Sequence, residues 1–550
     1  MSDTDGAAPV APTATPSEVR GSSFGEACAV WLRAHVHDIA IVISLAALCL
    51  MQRLATLDPV NTGGDAATKY QFVREWFYAH DFAHAEWNHH MTRFGVLVPA
   101  YFAQRFFGHG LRGYYAAPIA ACLVQVAFVY ACGKRLSGRF AGVLAAVLLT
   151  YASLMATAGS QLLPDLFSGT YGIVMTYLYL RYADAAGRER MAWLVGSALV
   201  AFAGYLAKET FVFFFPGMAI AVFLAARDPV RGIRATKWRE LVVFFGVLLV
   251  GLTIETLAYR SFTAYHSRLS IVFSSHVGNS DEGGRPDTTF WKLFDRYLHI
   301  DKGWAVAFYV FLPCWLGLLG LVRNYRMRAL LAVVASFFFF LTFLVRGLNP
   351  MLLWHRFMSR YLDPSAPFVE LVTALFVALA LRQLWQEFER PALSRLANRV
   401  QPFGGAFVAI GCALIVYSGY SDWKGDTRNA FSKGSELSSI ANDTYRRNLP
   451  IFIRKTRAAD VYARDVAALY SIYIDPRDEL RNGRLPSFDE AKRVTGNLTY
   501  LVKDPAAYPP SKVTQLISAG CALEVRETTP SMTAAPWATL PPSCDATARE

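Results

Sequence analysis

The strongest constraint on this chain is a succession of apolar blocks, each roughly 17 to 22 residues long and separated by short charged turns, because that length of helix crosses the hydrocarbon of a bilayer. The blocks fall at about 38–54, 114–133, 140–158, 167–183, 191–207, 210–226, 240–258, 303–322, 328–346, 366–382 and 403–420. Composition removes the main alternative. With 54% hydrophobic and 17% charged residues, too little polar surface remains to coat the several soluble domains that 550 residues could otherwise form. The chain reads as an α-helical polytopic membrane protein with about 11 transmembrane helices.

Lys and Arg set the orientation, since short cytoplasmic loops carry the excess of positive charge. Alternate loops are strongly basic: Lys134, Arg135 and Arg139; Arg181, Arg188 and Arg190; Arg227, Arg231, Arg234, Lys237 and Arg239; Arg323, Arg326 and Arg328; Arg382, Arg390, Arg395 and Arg399. Placing them inside puts the N-terminus in the cytoplasm and everything after about Tyr420 outside. The parity requires the stretch from Gly95 to Phe107, short and interrupted by Pro99, Gln104 and Arg105, to lie along the outer surface as an interfacial helix. The net charge of +12 is then a topology signal. It forms no aromatic-studded patch, and no nucleic-acid partner is expected.

Three regions follow. Residues 1–35, rich in Ala, Pro, Thr and Ser, read as a disordered cytoplasmic tail without a signal-peptide cleavage site. Residues 36–420 form the transmembrane domain, with long outer loops at 55–113 and 259–302. Residues 421–550 turn polar with Pro and Gly punctuation and read as a small extracytoplasmic α/β domain. Of eight cysteines only Cys521 and Cys544 fall there, where oxidation is open to them, so they are read as one disulfide. Neither CxxC nor HExxH spacing occurs, and any metal site is unknown.

Ionisable groups inside a membrane are costly and mark sites or cavities. Asp165, Lys208, Glu209, Glu255, Arg346 and Glu370 all fall at outer helix ends under this topology. A transporter would instead place such groups near the midplane between repeated halves. The first outer loop reads Asn61-Thr62-Gly63-Gly64-Asp65-Ala66-Ala67-Thr68-Lys69-Tyr70, in which Asp65 can be a helix N-cap, a general base, or both. Further on, Asn88-His89-His90-Met91-Thr92-Arg93-Phe94-Gly95 carries imidazoles and a guanidinium that either anchor at the interface or face a cavity. Ser160-Gln161-Leu162-Leu163-Pro164-Asp165-Leu166 and Gly204-Tyr205-Leu206-Ala207-Lys208-Glu209-Thr210 add an acid and an acid-base pair, each also readable as a cap or a snorkelling side chain.

Taken in order, these motifs, with Arg360-Tyr361-Leu362-Asp363-Pro364 before the tenth span, resemble those of the GT-C membrane glycosyltransferases. The closer likeness is to the bacterial branch of the protein O-mannosyltransferase family that includes the lipid A aminoarabinose transferases. The resemblance covers about Val30 to Ala380. It implies a GT-C-like fold and inverting transfer of a sugar from a polyprenyl-phosphate donor to a lipid, glycan or protein acceptor on the outer face of the cytoplasmic membrane. Asp65 matches the family's first-loop catalytic aspartate, Asp165 the second-loop acid, and Lys208 with Glu209 its basic motif. Many relatives follow the first aspartate with a glutamate, where this chain has Ala66.

The leaving phosphate needs cations, for which Lys69, Arg93, Arg356 and Arg360 are the candidates. His89, His90, Lys208, Glu209 and Tyr361 complete the expected cavity. No cofactor is assigned, and a divalent cation is left open. Neither a nucleotide-binding loop nor a Rossmann GxGxxG occurs. Two other classes remain. A lipid or solute transporter would keep flux without Asp65, and a non-catalytic scaffold for the C-terminal domain would tolerate changes at Asp65, Asp165 and Arg360 alike.

Overall fold

The computed structural model describes residues 24–56, 65–66, 69–70, 72–73, 89–108, 111–225, 233–263, 265–277, 302–322, 324–343, 345–348, 351–353, 359–388, 413 and 417. Several sequence expectations lie outside the described residues: the tail up to residue 23, the eleventh span at 403–420 save two positions, Arg356, and the domain at 421–550 with Cys521 and Cys544.

Helices occupy the positions of the other ten expected spans. They are α1 (Phe24–Ala55), α2 (Phe94–Phe107), α3 (Leu111–Ser137), α4 (Arg139–Tyr151), α5 (Ser153–Ala158), α6 (Pro164–Asp184), α7 (Gly187–Ala207), α8 (Phe215–Ala225), α9 (Ile233–Phe262), α10 (Arg268–Val277), α11 (Lys302–Leu321), α12 (Tyr325–Thr342) and α13 (Ala366–Phe388). Among the described residues, six helices are long and apolar enough to cross a membrane, and α4, α11 and the segment Glu209–Ala225 are shorter apolar helices. The chain is a helical membrane protein.

Helix α6 explains why hydropathy alone understates the bundle. It packs between α3 and α7, and its Asp165, Ser168, Thr170 and Thr176 are buried against protein. A helix walled by other helices needs no lipid-facing side chains, so its polar groups are tolerated once bonded. Gln125 of α3 donates to Leu166 O at 2.8 Å and to Thr170 Oγ1 at 3.0 Å. Pro164 opens α6 at a position where no backbone donor is lost. Between helices of similar apolarity, packing rather than water exclusion drives association. Phe214 stacks on Phe337 with centroids 4.6 Å apart and lies 5.2 Å from Phe368, joining the turn before α8 to α12 and α13. Each such pair contributes about 0.5–1.5 kcal/mol beyond area burial.

The structure corrects the sequence reading in four places. Residues 24–35, expected as disordered tail, belong to α1. The third span is broken, because Ala152 is extended (ψ 135°) between α4 and α5, and the buried Arg53 donates to Thr150 O, a carbonyl freed at the break. The sixth begins as a 3₁₀ turn, Glu209–Phe214, before α8. The ninth stops at Thr342, and an antiparallel hairpin of β1 (Val345–Leu348) and β2 (Met351–Leu353) follows. The short helix α2 does lie where an interfacial helix was expected. It presents Phe102, Phe106 and Phe107 outward and buries Val96, Leu97 and Ala100.

Candidate functional site

Every ionisable motif that can be placed meets at one end of the bundle. Asp65 lies at the start of a short helical turn whose Lys69 is fully buried and donates from Nζ to Asp65 O at 2.8 Å. Arg360, from a 3₁₀ turn spanning Ser359–Ser365, reaches across 295 positions of sequence to donate from Nη1 to Asp65 Oδ2 at 2.9 Å. Burial works against the charge of Asp65, yet Lys69, Arg360 and Arg93 outweigh it and hold the carboxyl well below the usual carboxylate range. His90 Nε2 stands 3.6 Å from Asp65 Oδ1. Burial, with Lys69, His89 and Arg93 adding to it, pushes that imidazole down to about 2, so the contact is polar rather than ionic near neutrality. His89 and His90 face each other with ring centroids 3.8 Å apart.

Asp165, in the first turn of α6, forms a buried ion pair with Lys208, the residue closing α7. Lys208 Nζ also lies 4.2 Å from the Tyr361 ring centroid, a cation–π contact that fixes the RYLDP turn against α7. The backbone of that turn rests on Gly169, where a Cβ would stand 3.3 Å from Asp363 O. Arg360 is therefore aimed at Asp65 by a turn clamped between α6 and Lys208.

The third group was only half visible in the sequence. Glu209 accepts from Arg268 Nη2 at 2.7 Å and lies 3.7 Å from Arg93 Nη2. Arg268, at the start of α10, also donates to Tyr205 O at 2.7 Å and approaches Glu255 of α9 at 3.8 Å. Nothing near Arg268 in sequence marks it. The signal available was Glu255, a second acid at the same helix ends as the Lys208–Glu209 pair, which requires a cation when buried. Arg93 is brought in by Gly95, whose Cβ would sit 2.4 Å from Ala207 N. Only a residue without a side chain lets α2 abut the end of α7 this closely.

Beside this cluster an apolar groove of about 1120 Å³ runs between α7 and α9, past Phe202, Val250 and Ile254, and ends at Glu255, Tyr259 and Phe94. Of the expected phosphate ligands, Arg93 and Arg360 each keep a buried Nε without a hydrogen-bond partner, while Lys69 is turned back beneath Asp65. Among the described residues no three His, Cys, Asp or Glu side chains gather as a metal site. The two aspartates are held by cations instead. Chemically, the cluster offers one ionised carboxylate flanked by unspent guanidinium donors at the mouth of an apolar groove, a setting for an anion with an apolar tail.

Comparison with known proteins places this geometry. Residues 97–254 match the family model described as dolichyl-phosphate-mannose-protein mannosyltransferase, under a third of the chain. No curated protein matches the chain. Among solved structures, ArnT from Cupriavidus metallidurans in the apo state superposes with TM-score 0.52 at 14% identity, covering 80% of this chain and 86% of that one. ArnT from the same organism bound to undecaprenyl phosphate gives 0.49 at 14% identity, over 80% and 91%. The Archaeoglobus fulgidus oligosaccharyltransferase tethered with an acceptor peptide gives 0.49 at 14% identity, over 82% of this chain and 60% of that one. This chain thus spans under two thirds of that archaeal chain's length. The apo ArnT likeness shows a GT-C fold, in agreement with the resemblance read from the motifs.

Proposed function

We propose that this chain is an inverting glycosyltransferase that moves a sugar from a polyprenyl phosphate to a lipid, glycan or protein acceptor on the outer side of the cytoplasmic membrane. The observation that carries the reading is the pair of buried, unspent guanidinium donors of Arg93 and Arg360 beside the Asp65 carboxylate. Buried donors without partners call for an explanation, and a bound phosphate supplies one. The matched family's description, which names an isoprenoid-phosphate-linked mannose, supports the donor class.

In the proposed step the acceptor hydroxyl attacks the anomeric carbon and its proton passes to Asp65. The bond from that carbon to the phosphate oxygen breaks, its electron pair leaving with the phosphate, where Arg93 and Arg360 neutralise it. A single displacement inverts the anomeric centre. Arg360 couples the two halves: it keeps one edge on Asp65 and lowers the basicity of that carboxylate in the free protein, and a donor phosphate on its other edge offsets that positive charge and restores the basicity. Asp165 holds Lys208, which in turn holds Tyr361 and the Arg360 turn. The isoprenoid chain lies in the α7/α9 groove. The N-terminus is cytoplasmic, and residues 421–550, with a Cys521–Cys544 bridge, are extracytoplasmic.

The test is genetic and chemical. A deletion strain should accumulate an envelope glycan or glycolipid lacking one sugar by mass spectrometry. The natural chain should restore it, and Asp65→Asn should lower transfer by about 10²–10⁴-fold at normal expression. Full restoration by Asp65→Asn would remove Asp65 as the base.

A further inference from the structure

The opposite end of the bundle carries a second polar cluster with no part in sugar transfer. Asp38 of α1 is saturated by donors: Tyr130 Oη at 2.7 Å, Lys134 Nζ at 2.7 Å, and Arg139 through Nε at 2.9 Å and Nη2 at 3.3 Å. Nearby, Asp184 at the end of α6 accepts from both Arg135 and Arg326. Four cations thus share two carboxylates, and the cluster keeps a surplus of positive charge. It lies about 22 Å along α1 from Arg53, which sits at the end where the candidate site gathers.

A cavity of about 380 Å³ opens into this cluster. Lys134 and Arg135 line its rim together with Asp38 and His35. Its other wall is apolar, built by Val42 and Ile43 of α1 and Tyr177 of α6. Val42 and Ile43 lie about 6 Å deeper along α1 than the Asp38 level. Ile43 is 63% exposed, as expected of a side chain facing lipid. A ligand here meets cations at the level of the headgroups and apolar side chains one turn further into the hydrocarbon. Neither a free anion nor a neutral lipid uses both features.

We propose that the cleft between α1, α3 and α6 at this end binds an anionic phospholipid, its phosphodiester on Lys134 and Arg135 and an acyl chain along Val42, Ile43 and Tyr177. Surplus cations between helix ends are suited to acidic headgroups, each adding about 1 kcal/mol of attraction. Asp38 does not repel the headgroup, because Arg139 donates to both of its oxygens even where Lys134 turns to the phosphate. The bound lipid would tie α1 to α3 and α6 at the end remote from the candidate site.

The test uses the full chain in detergent, with phosphatidylglycerol and phosphatidylcholine of identical acyl chains as probes, and counts retained lipids by native mass spectrometry. One phosphatidylglycerol should be retained in preference to phosphatidylcholine, with affinity about fivefold weaker in Arg135→Gln and about 25-fold weaker in Lys134→Gln/Arg135→Gln. Because those changes also touch ion pairs, Ile43→Trp provides a second arm. It fills the acyl wall from an exposed position and should displace the lipid with the charges intact. Equal retention of the two lipids, or unchanged binding in both the double variant and Ile43→Trp, overturns the proposal. Competition by millimolar inorganic phosphate against the natural chain would show a simple anion site and overturn the lipid assignment.

Discussion

Replacing Arg360 by Lys separates a phosphate-binding guanidinium from a generic positive charge. Arg360 commits Nη1 to Asp65 at 2.9 Å and keeps Nε buried and unpartnered. A guanidinium can therefore stay on the carboxylate while its other edge meets a phosphate oxygen, whereas the single ammonium of Lys must choose. Charge-assisted hydrogen bonds contribute about 1.5–3 kcal/mol each. Lys keeps the charge and one contact, so the expected loss is about 2 kcal/mol, roughly a thirtyfold higher KM for the lipid-linked donor. Acceptor dependence should not change. Proteoliposomes carrying the purified variant, titrated separately with donor and acceptor, give both constants. A donor KM within about threefold of the natural chain, or equal shifts for donor and acceptor, would refute the assignment.

Gly95→Ala would place a Cβ 2.4 Å from Ala207 N and 2.5 Å from Ala203 O, both backbone atoms that cannot turn aside. It should cost about 1–3 kcal/mol, seen as a lower melting temperature in detergent and weaker donor use as Arg93 shifts; natural melting would show that α2 does not abut α7. Lys208→Met strands the buried Asp165 carboxylate and should cost about 3–5 kcal/mol, most of it recovered in Lys208→Met/Asp165→Asn, and additive losses would contradict the pairing. His90 is held near 2 in the folded chain against about 6.5 unfolded. As pH falls below 6.5 the unfolded chain takes up the proton first, so stability drops by about 1 kcal/mol between pH 7.5 and 5.5. His90→Gln should lose less over that interval, and an equal loss would show that His90 titrates normally.

The fold was legible where one physical rule dominates. Apolar blocks of membrane length gave helix positions directly, even for α6, whose polar side chains were averaged with their apolar neighbours. Breaks within a block were harder to read. The interruption at Ala152 has neither Gly nor Pro beside it and depends on Arg53, roughly a hundred positions away, accepting the role of cap. The hairpin after Thr342 did leave a local signal in Gly347 and the Asn349-Pro350 pair, turn chemistry that an apolar count passes over.

The candidate site divides along the same line. Sequence order brought Asp65, Asp165, Lys208 and Arg360 to one end of the bundle through the alternation of spans, a one-dimensional argument that needs no contacts. It could not say which acid meets which cation. The structure joins Asp65 to Arg360 and Asp165 to Lys208, pairings set by how α6 and α7 press on the RYLDP turn. It also adds Arg268, one of several basic residues in the long segment 259–302. Its identification follows from charge balance: Glu209 and Glu255 both approach Arg268, and two acids brought together require more positive charge than Arg93 supplies to Glu209 alone. Arg268 takes Oε1 of Glu209 while Arg93 Nη2 stands 3.7 Å from Oε2, and Arg93 Nε has no hydrogen-bond partner. The residue hardest to see in the sequence thus shares its acid with a flagged residue whose Nε faces no partner of its own.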